Sequence, residues 1–514
     1  MDCFSLDGQM LWILVAVVVI VGISSPFTRR ITIEILSTIL DRYLRSRFPI
    51  FSVDGSRTLP TCPYKWPNGQ GDVAKFLQGI ENRDLWEKEH GQIYRIWSGM
   101  KSEVVLTQPS HLQAVFRDSN KHSKAENNNS GYLMSELLGQ CVGLVSRERW
   151  RTLRAVTEIP FQHDKMPSYL ELIQRHTRHH FDRLLASGDL RQERIHPAQD
   201  LKMLPFWVVA EIFYGECDAE MKTELQQLCV LREDLFKRMI QGGIVRWQWS
   251  KYLPTATNRA LAEFQRRWRA FNQRAYDRAC QQQRILPIVL MIEAAREGST
   301  SVEQIYQTID EALFANLDVT TGGISWNLVF FAAHSDIQER VRQEVLSATD
   351  HDAYLLSSST LLAACISESA RLKPLAAFTV PQSAPTDRII GGYNIPAGTN
   401  LVVDTYALNI RNGFWGADSQ CYRPDRFLEH RATELRYQYW RFGFGPRQCM
   451  GRYVADLVIR TLLAHLVAHY ELGWVEPDPG KNSTWQRDLE SWITIPDLQL
   501  SQYYCVTTDI FHSC

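Results

Sequence analysis

Apolar positions along this chain follow three patterns, and each predicts a different kind of element. The first is unbroken. No charged residue occurs from Gly8 to Thr28, and Leu11 to Ile23 is almost wholly apolar. Such a span is about long enough to cross a bilayer once as a helix. Asp2 and Asp7 precede it and Arg29 and Arg30 follow it, so the positive-inside rule puts the bulk of the chain on the cytoplasmic side. A cleaved signal peptide would carry its positive charge ahead of the apolar run, which favours an uncleaved anchor over residues 1–30.

The second pattern repeats every three to four residues, the period of a helix. After Thr300-Ser301-Val302-Glu303, which reads as a capping box, it runs to about His334. That is roughly 48 Å at about 1.5 Å per residue, enough to cross a whole domain. Val454, Leu457, Val458, Thr461, Leu462 and Leu466 mark another helix. Glu148 to Arg154 reads as helical, Pro167 to Gln283 as several helices, and Ser335 to Gln338 as a helix cap. Ile244 to Trp249 reads equally well as aromatics dipping into a lipid interface and as a packed segment.

The third pattern is short and alternating, bounded by turn residues. Tyr94–Ser98 and Glu103–Thr107 flank Gly99, Ile389–Thr399 reads as strand, turn, strand, and Ser491–Leu500 as a further hairpin. The predicted class is mainly α with small β-sheets. Thr58 to Gly71 holds Pro60, Pro63 and Pro67 and reads as a stiff hinge, so residues 31–71 are expected to link the anchor to a domain over 72–514.

Composition narrows the partners. The net charge of −1 over 514 residues argues against nucleic acid. The eleven cysteines include no CxxC pair, which makes a poor disulfide framework and a poor zinc site. One cysteine stands apart. In Phe442-Gly443-Phe444-Gly445-Pro446-Arg447-Gln448-Cys449-Met450-Gly451, a thiol sits just before a helix start. Backbone N–H groups and the helix dipole favour a thiolate there. The glycines allow tight turns and close approach to a flat group. No phosphate-cradling glycine loop of the P-loop or Rossmann type is present, so the chain has no evident site for NADPH or flavin.

Phe442, Gly445, Arg447, Cys449 and Gly451 match every fixed position of the haem-binding signature of the cytochrome P450 family, which this chain resembles from about residue 60 to 500. The resemblance implies that fold, haem b, and Cys449 as the axial thiolate ligand of the iron. It implies cofactor contacts from Arg447, Phe442, Trp150 and Arg154, the last two four apart on one helix face. It also implies a buried triad of Glu368, Arg371 and Arg426, whose disruption should cost of order 3–5 kcal/mol. Ala315 to Thr321 resembles the oxygen-activating segment, with Asp318 and Thr320 as proton carriers and Ala315 and Asn316 facing substrate. Three positions depart from the family pattern. Asn316 stands where glycine is usual, Val319 where threonine is usual, and Gln382 where an arginine often meets the haem. Thr320 reaches the site if the helix has a local bulge; otherwise a water or the substrate must supply the hydroxyl.

The implied activity is oxidation of a hydrophobic small molecule with O2 and electrons from an NADPH-dependent flavoprotein reductase. Arg436, Arg441, Arg447 and Arg452 are candidates for its docking face. The implied location is the endoplasmic reticulum membrane, single-pass, with the catalytic domain in the cytoplasm. Ala315–Thr321 and Asp404–Asn409 resemble fungal members that tailor secondary metabolites, some of them diketopiperazine-derived toxins. A haem-thiolate isomerase or lyase that needs no reductase is the alternative, motivated by Val319; a haem sensor is a third reading with no residue to support it.

Overall fold

Helices dominate the structure, a computed structural model that describes residues 26–71, 73–475 and 485–504. The longer helices are α1 (Pro26–Arg47), α2 (Gly79–His90), α3 (Arg147–Thr157), α4 (Met166–Ser187), α5 (Met203–Tyr214), α6 (Ala219–Gln241), α7 (Ala256–Gln281), α8 (Pro287–Arg296), α9 (Val302–Ala333), α10 (Ser335–Ser347), α11 (Leu361–Leu372) and α12 (Arg452–His469). The strands are β1 (Ile93–Ser98), β2 (Lys101–Leu106), β3 (Ser123–Lys124), β4 (Arg194–Ile195), β5 (Gln382–Ser383), β6 (Arg388–Ile390), β7 (Tyr393–Ile395), β8 (Asn400–Val403), β9 (Tyr470–Trp474) and β10 (Leu500–Tyr504). They form sheets ordered β1-β2-β8-β5-β3, β4-β10-β9 and β6-β7.

The central helix α9 is 32 residues long. Leu313, Leu317, Ile324, Trp326, Leu328, Val329 and Phe331 bury it on several faces, as expected of a helix that passes through a core rather than over one. Its cap lies one residue later than the sequence pattern indicates. Ser301 Oγ accepts from Gln304 N at 3.2 Å and Gln304 Oε1 accepts from Ser301 N at 3.0 Å. At the next helix His334, not Ser335, is the cap; Gln338 instead donates to Phe331 O and Leu472 O and accepts from Leu472 N.

The proline-rich hinge is not a free linker. Pro60 O accepts from Arg95 N at 2.9 Å and Cys62 N donates to Arg95 O at 2.8 Å, so the stretch runs along β1. At Gly69 an added Cβ would meet Trp97 Cβ at 2.6 Å, so only glycine lets the chain pass there. Helix α1 docks on the same stretch. Asp41 accepts from Tyr64 N, Ser37 Oγ accepts from Trp66 N, and Arg45 donates to Thr61 O, all at 2.9 Å. Prolines here leave few donors of their own, and α1 and β1 supply the partners. None of the described helices is long and apolar enough to cross a membrane; the apolar run Leu11–Ile23 lies outside the described residues.

A buried ion pair, Lys75 with Glu103 at 2.7 Å, joins a short helical turn to β2. Asn129 donates to the other Glu103 oxygen at 2.8 Å. Removing one partner strands a charge in the core, at a cost of about 3–5 kcal/mol. Glu103→Gln should therefore lower the thermal midpoint sharply. The double variant Lys75→Met, Glu103→Leu should recover most of the loss in the same melting experiment.

Candidate active site

The loop before α12 is shaped by its glycines. Gly443 and Gly445 have φ of +81° and +70°, conformations that side chains resist. Cys449 N donates to Phe442 O at 2.9 Å, which closes the loop. Phe444 packs edge-on against Phe116, Tyr437 and Trp440, with ring centres 5.1–5.8 Å apart. Two further ties hold the loop from behind. Asn409 accepts from Trp440 N at 2.7 Å and donates to Trp440 O at 3.0 Å, and Tyr439 donates to Ser367 O at 2.9 Å.

Asn409 leads to a buried ionic cluster. Its carbonyl accepts from Arg371 Nη1 at 2.9 Å. Arg371 Nε and Nη2 reach Glu368 at 2.7 and 2.8 Å, and Arg426 Nε reaches it at 3.0 Å. All three side chains are 2% exposed or less. Such charges are tolerable in a core only when paired on every side, and the carbonyls of Ser419 and Asp418 take the remaining guanidinium donors.

Cys449 and α9 face one cavity of about 1020 Å³. That is at the top of the roughly 300–1,000 Å³ usual for one bound ligand, so the space accommodates a cofactor with a substrate above it. Cys449 has exposed surface because it opens onto this cavity. Burial pushes its thiol pKa up, and a hydrogen bond from the Gly451 amide opposes the shift.

Cations gather on one side of the cavity. Arg447 lies over the Trp150 ring at 4.6 Å and donates Nη2 to Val145 O at 2.7 Å, but its Nε and Nη1 are buried without a partner. Lys124 lines the same space. Burial and then Arg447 bring the Lys124 ammonium down to about 8, while burial and then Arg154 bring Arg447 down to about 10. Arg154 is bonded to Glu158 at 2.6 Å and to Gln448 O at 3.2 Å. Orphaned guanidinium donors beside a strained lysine fit a bound dianion, the two propionates of a haem, with the thiol placed for its iron. Lys124 had no signal in the sequence. It reaches the site because β3 pairs Lys124 with Gln382 of β5, which itself lines the cavity.

The α9 wall differs from its sequence expectation. The helix is regular over its whole length, with no bulge. Thr320 donates its hydroxyl to Asn316 Oδ1, and Asn316 Nδ2 donates to Pro205 O at 2.8 Å. Asp318 accepts from Trp492 Nε1 at 2.9 Å, and burial raises its carboxyl pKa. Ala315, Asn316, Asp318, Val319 and Thr320 all line the cavity, as do Phe236, Lys202 and Glu233, which sequence reasoning missed. The turn after Trp485 also lines it, closed by Asp488 N to Ile495 O and Asp497 N to Gln486 O. The four arginines proposed as one docking face separate: Arg436 is exposed and Arg452 half-buried, Arg441 pairs with Asp456, and Arg447 faces the cavity.

A thiol loop and a long helix across one apolar cavity, with a cationic flank beside them, define a haem-thiolate protein. The family model for cytochrome P450 matches residues 77–493, and the chain belongs to that family. Similar curated proteins are the cytochrome P450 monooxygenase asaD of Aspergillus flavus, 49% identical over 91% of this chain and 90% of the relative, and verC of Clonostachys rogersoniana, 41% over 87% and 89%. A third, gliC of Aspergillus fumigatus, is 39% identical over 90% and 92%. The chain is a haem-dependent monooxygenase, and haem b with cysteine thiolate ligation is the family cofactor.

Two measurements test the cationic flank. Arg447→Ala should weaken haem retention at least tenfold, about 1.4 kcal/mol or more, in a haem-transfer assay to an apo-globin acceptor. Lys124 is fully charged only below about pH 8 before haem binds. Haem uptake by the apo chain should therefore weaken as pH rises above about 8, and Lys124→Met should flatten that part of the profile.

Proposed function

We propose that this monooxygenase hydroxylates, desaturates or ring-closes a hydrophobic small molecule in fungal secondary metabolism, with a diketopiperazine-derived precursor as the first class to test. The observation that carries the reading is the cavity itself, walled largely by apolar side chains such as Phe76, Leu77, Val209, Phe236, Phe378 and Ile493. A thiolate-ligated haem, when bound, supplies the O2 activation needed to attack an unactivated C–H bond.

The chain's own residues then divide the remaining work. Cys449 is the iron ligand; Arg447, Lys124, Trp150 and Arg154 hold the propionate side; and Phe442 closes the cysteine loop. Phe236, Phe378, Trp492 and Ile493 press on the substrate and exclude water. Asp318 is the carboxyl placed to move a proton. Thr320 donates its own hydroxyl to Asn316, so its oxygen serves as an acceptor in that path rather than as the donor.

Electrons come from an NADPH-dependent flavoprotein reductase, and the chain is seated on the endoplasmic reticulum membrane by residues 1–30, with the catalytic part in the cytoplasm. Two surfaces support the membrane seat. Helix α1 exposes Phe27, Ile31, Ile35, Ile39 and Tyr43 at a four-residue spacing, and the connector after α6 exposes Ile244, Trp249 and Tyr252. In that connector Arg246 and Ser250 are buried, and Arg246 is bonded to Asn129 O. Apolar and aromatic side chains in such rows suit a lipid interface.

The isomerase or lyase alternative rests on Val319. Dependence on NADPH and O2 separates the two. Deleting the gene in its native host should accumulate a compound lighter by one oxygen, or heavier by two hydrogens for desaturation or ring closure. A precursor of unchanged mass, turned over without reductase, would establish isomerisation and overturn the monooxygenation proposed here.

A further inference from the structure

Asp318 is the carboxyl best placed to carry a proton to the oxygen side of the cavity, yet both of its oxygens face donors from the pocket wall. Oδ2 accepts from the Trp492 indole N–H at 2.9 Å. Oδ1 faces Lys202 Nζ at 4.0 Å, and Lys202 is held by Glu233 of α6 at 2.5 Å. Residue 319 is valine and Thr320 is bonded to Asn316, so neither of the next two residues offers Asp318 a free hydroxyl. The indole is braced in turn: Trp492 meets Phe236 of α6 edge to face, ring centres 5.3 Å apart at 60°. Both rings line the space a substrate would fill.

We infer that Trp492 is a positioning residue that restrains the Asp318 carboxyl through its indole N–H, and that a substrate pressed against the Phe236–Trp492 pair releases it. Proton delivery then depends on occupancy of the pocket. A proton that Asp318 gives up on the cavity side would be replaced from solvent past Lys202 and Glu233, so the carboxyl would return to its starting state. The electrons are those of the monooxygenase reaction, supplied from NADPH through the reductase. The inference rests on that reaction and adds a coupling between pocket wall and acid. An edge-to-face aromatic pair is weak enough for a bound ligand to displace.

The test uses the full chain with its reductase, NADPH and O2, and no substrate. Trp492→Phe keeps the ring and removes the donor. It should raise substrate-free NADPH oxidation several-fold, with peroxide or water as product, and should shrink the solvent deuterium isotope effect on that leak. Phe236→Leu leaves the indole N–H but unbraces it, and should move both readouts the same way by less. The carbon monoxide spectrum of the reduced protein is recorded alongside, so that a failed haem site is seen separately. Wild-type leak and isotope effect in a Trp492→Phe protein with an intact spectrum would make Trp492 a wall residue only. Should Trp492→Phe not bind haem, Phe236→Leu decides: an unchanged leak overturns the coupling.

Discussion

The buried pairing of Glu368 with Arg371 and Arg426 is the constraint on which the rest of the site hangs. One carboxylate holds two guanidinium groups with almost no access to water. The energy of such a cluster is not a net gain over an apolar core; what it supplies is a unique geometry. Arg371 spends a donor on Asn409 O, Asn409 clamps both backbone polar groups of Trp440, and Trp440 braces Phe444 in the cysteine loop. The position of Cys449 is thus set by a chain of directed bonds from the back of the core. Apolar packing alone would allow the loop to settle in several arrangements of similar energy.

On the opposite flank the logic is inverted. Arg447, Arg154 and Lys124 are brought together without enough acid to balance them. Glu158 pairs with Arg154, and Glu311 lies within electrostatic reach of Lys124 and Arg447. Burial, and then the like charges beside them, disfavour the charged forms of Lys124 and Arg447, and their lowered pKa values express that cost. The unspent Nε and Nη1 of Arg447 show where a partner would go. A fold that tolerates this flank is one completed by an anionic ligand, and ligand binding feeds directly into its stability.

Local patterns in the sequence carried the architecture well. The long apolar period became α9, the alternating runs became β1, β2 and the β6–β7 turn, and the glycine-rich cysteine stretch became a loop leading into α12. What stayed hidden were contacts made across the fold. Lys124 is an ordinary loop lysine until β3 sets it against β5. Trp492 is far from Asp318 in the chain and meets it only because the terminal turn folds over α9. The proline-rich hinge read as a spacer because composition reports the absence of donors, not the presence of β1 and α1 to satisfy its carbonyls. The bulge named as one way to bring Thr320 to the site was an inference from function to geometry. The helix stays regular, because Asn316 offers the hydroxyl an acceptor one turn back and bonds Pro205 with its amide.

That substitution pair explains how the departures at 316 and 319 belong together. With glycine at 316, a helix at this place would have a gap where a side chain could sit, and a threonine at 319 would face the cavity. Here the asparagine fills the gap, ties α9 to α5, and engages the Thr320 hydroxyl, while valine presents methyl groups to the cavity. The two changes make this stretch of wall drier and stiffer. An acid in such surroundings resists ionising, and Asp318 is shifted upward by burial for that reason. A carboxyl whose protonated form is favoured by burial can pass on a proton without a neighbouring hydroxyl, provided that something keeps it from acting before the substrate arrives. The Trp492 indole is the group in position to do that.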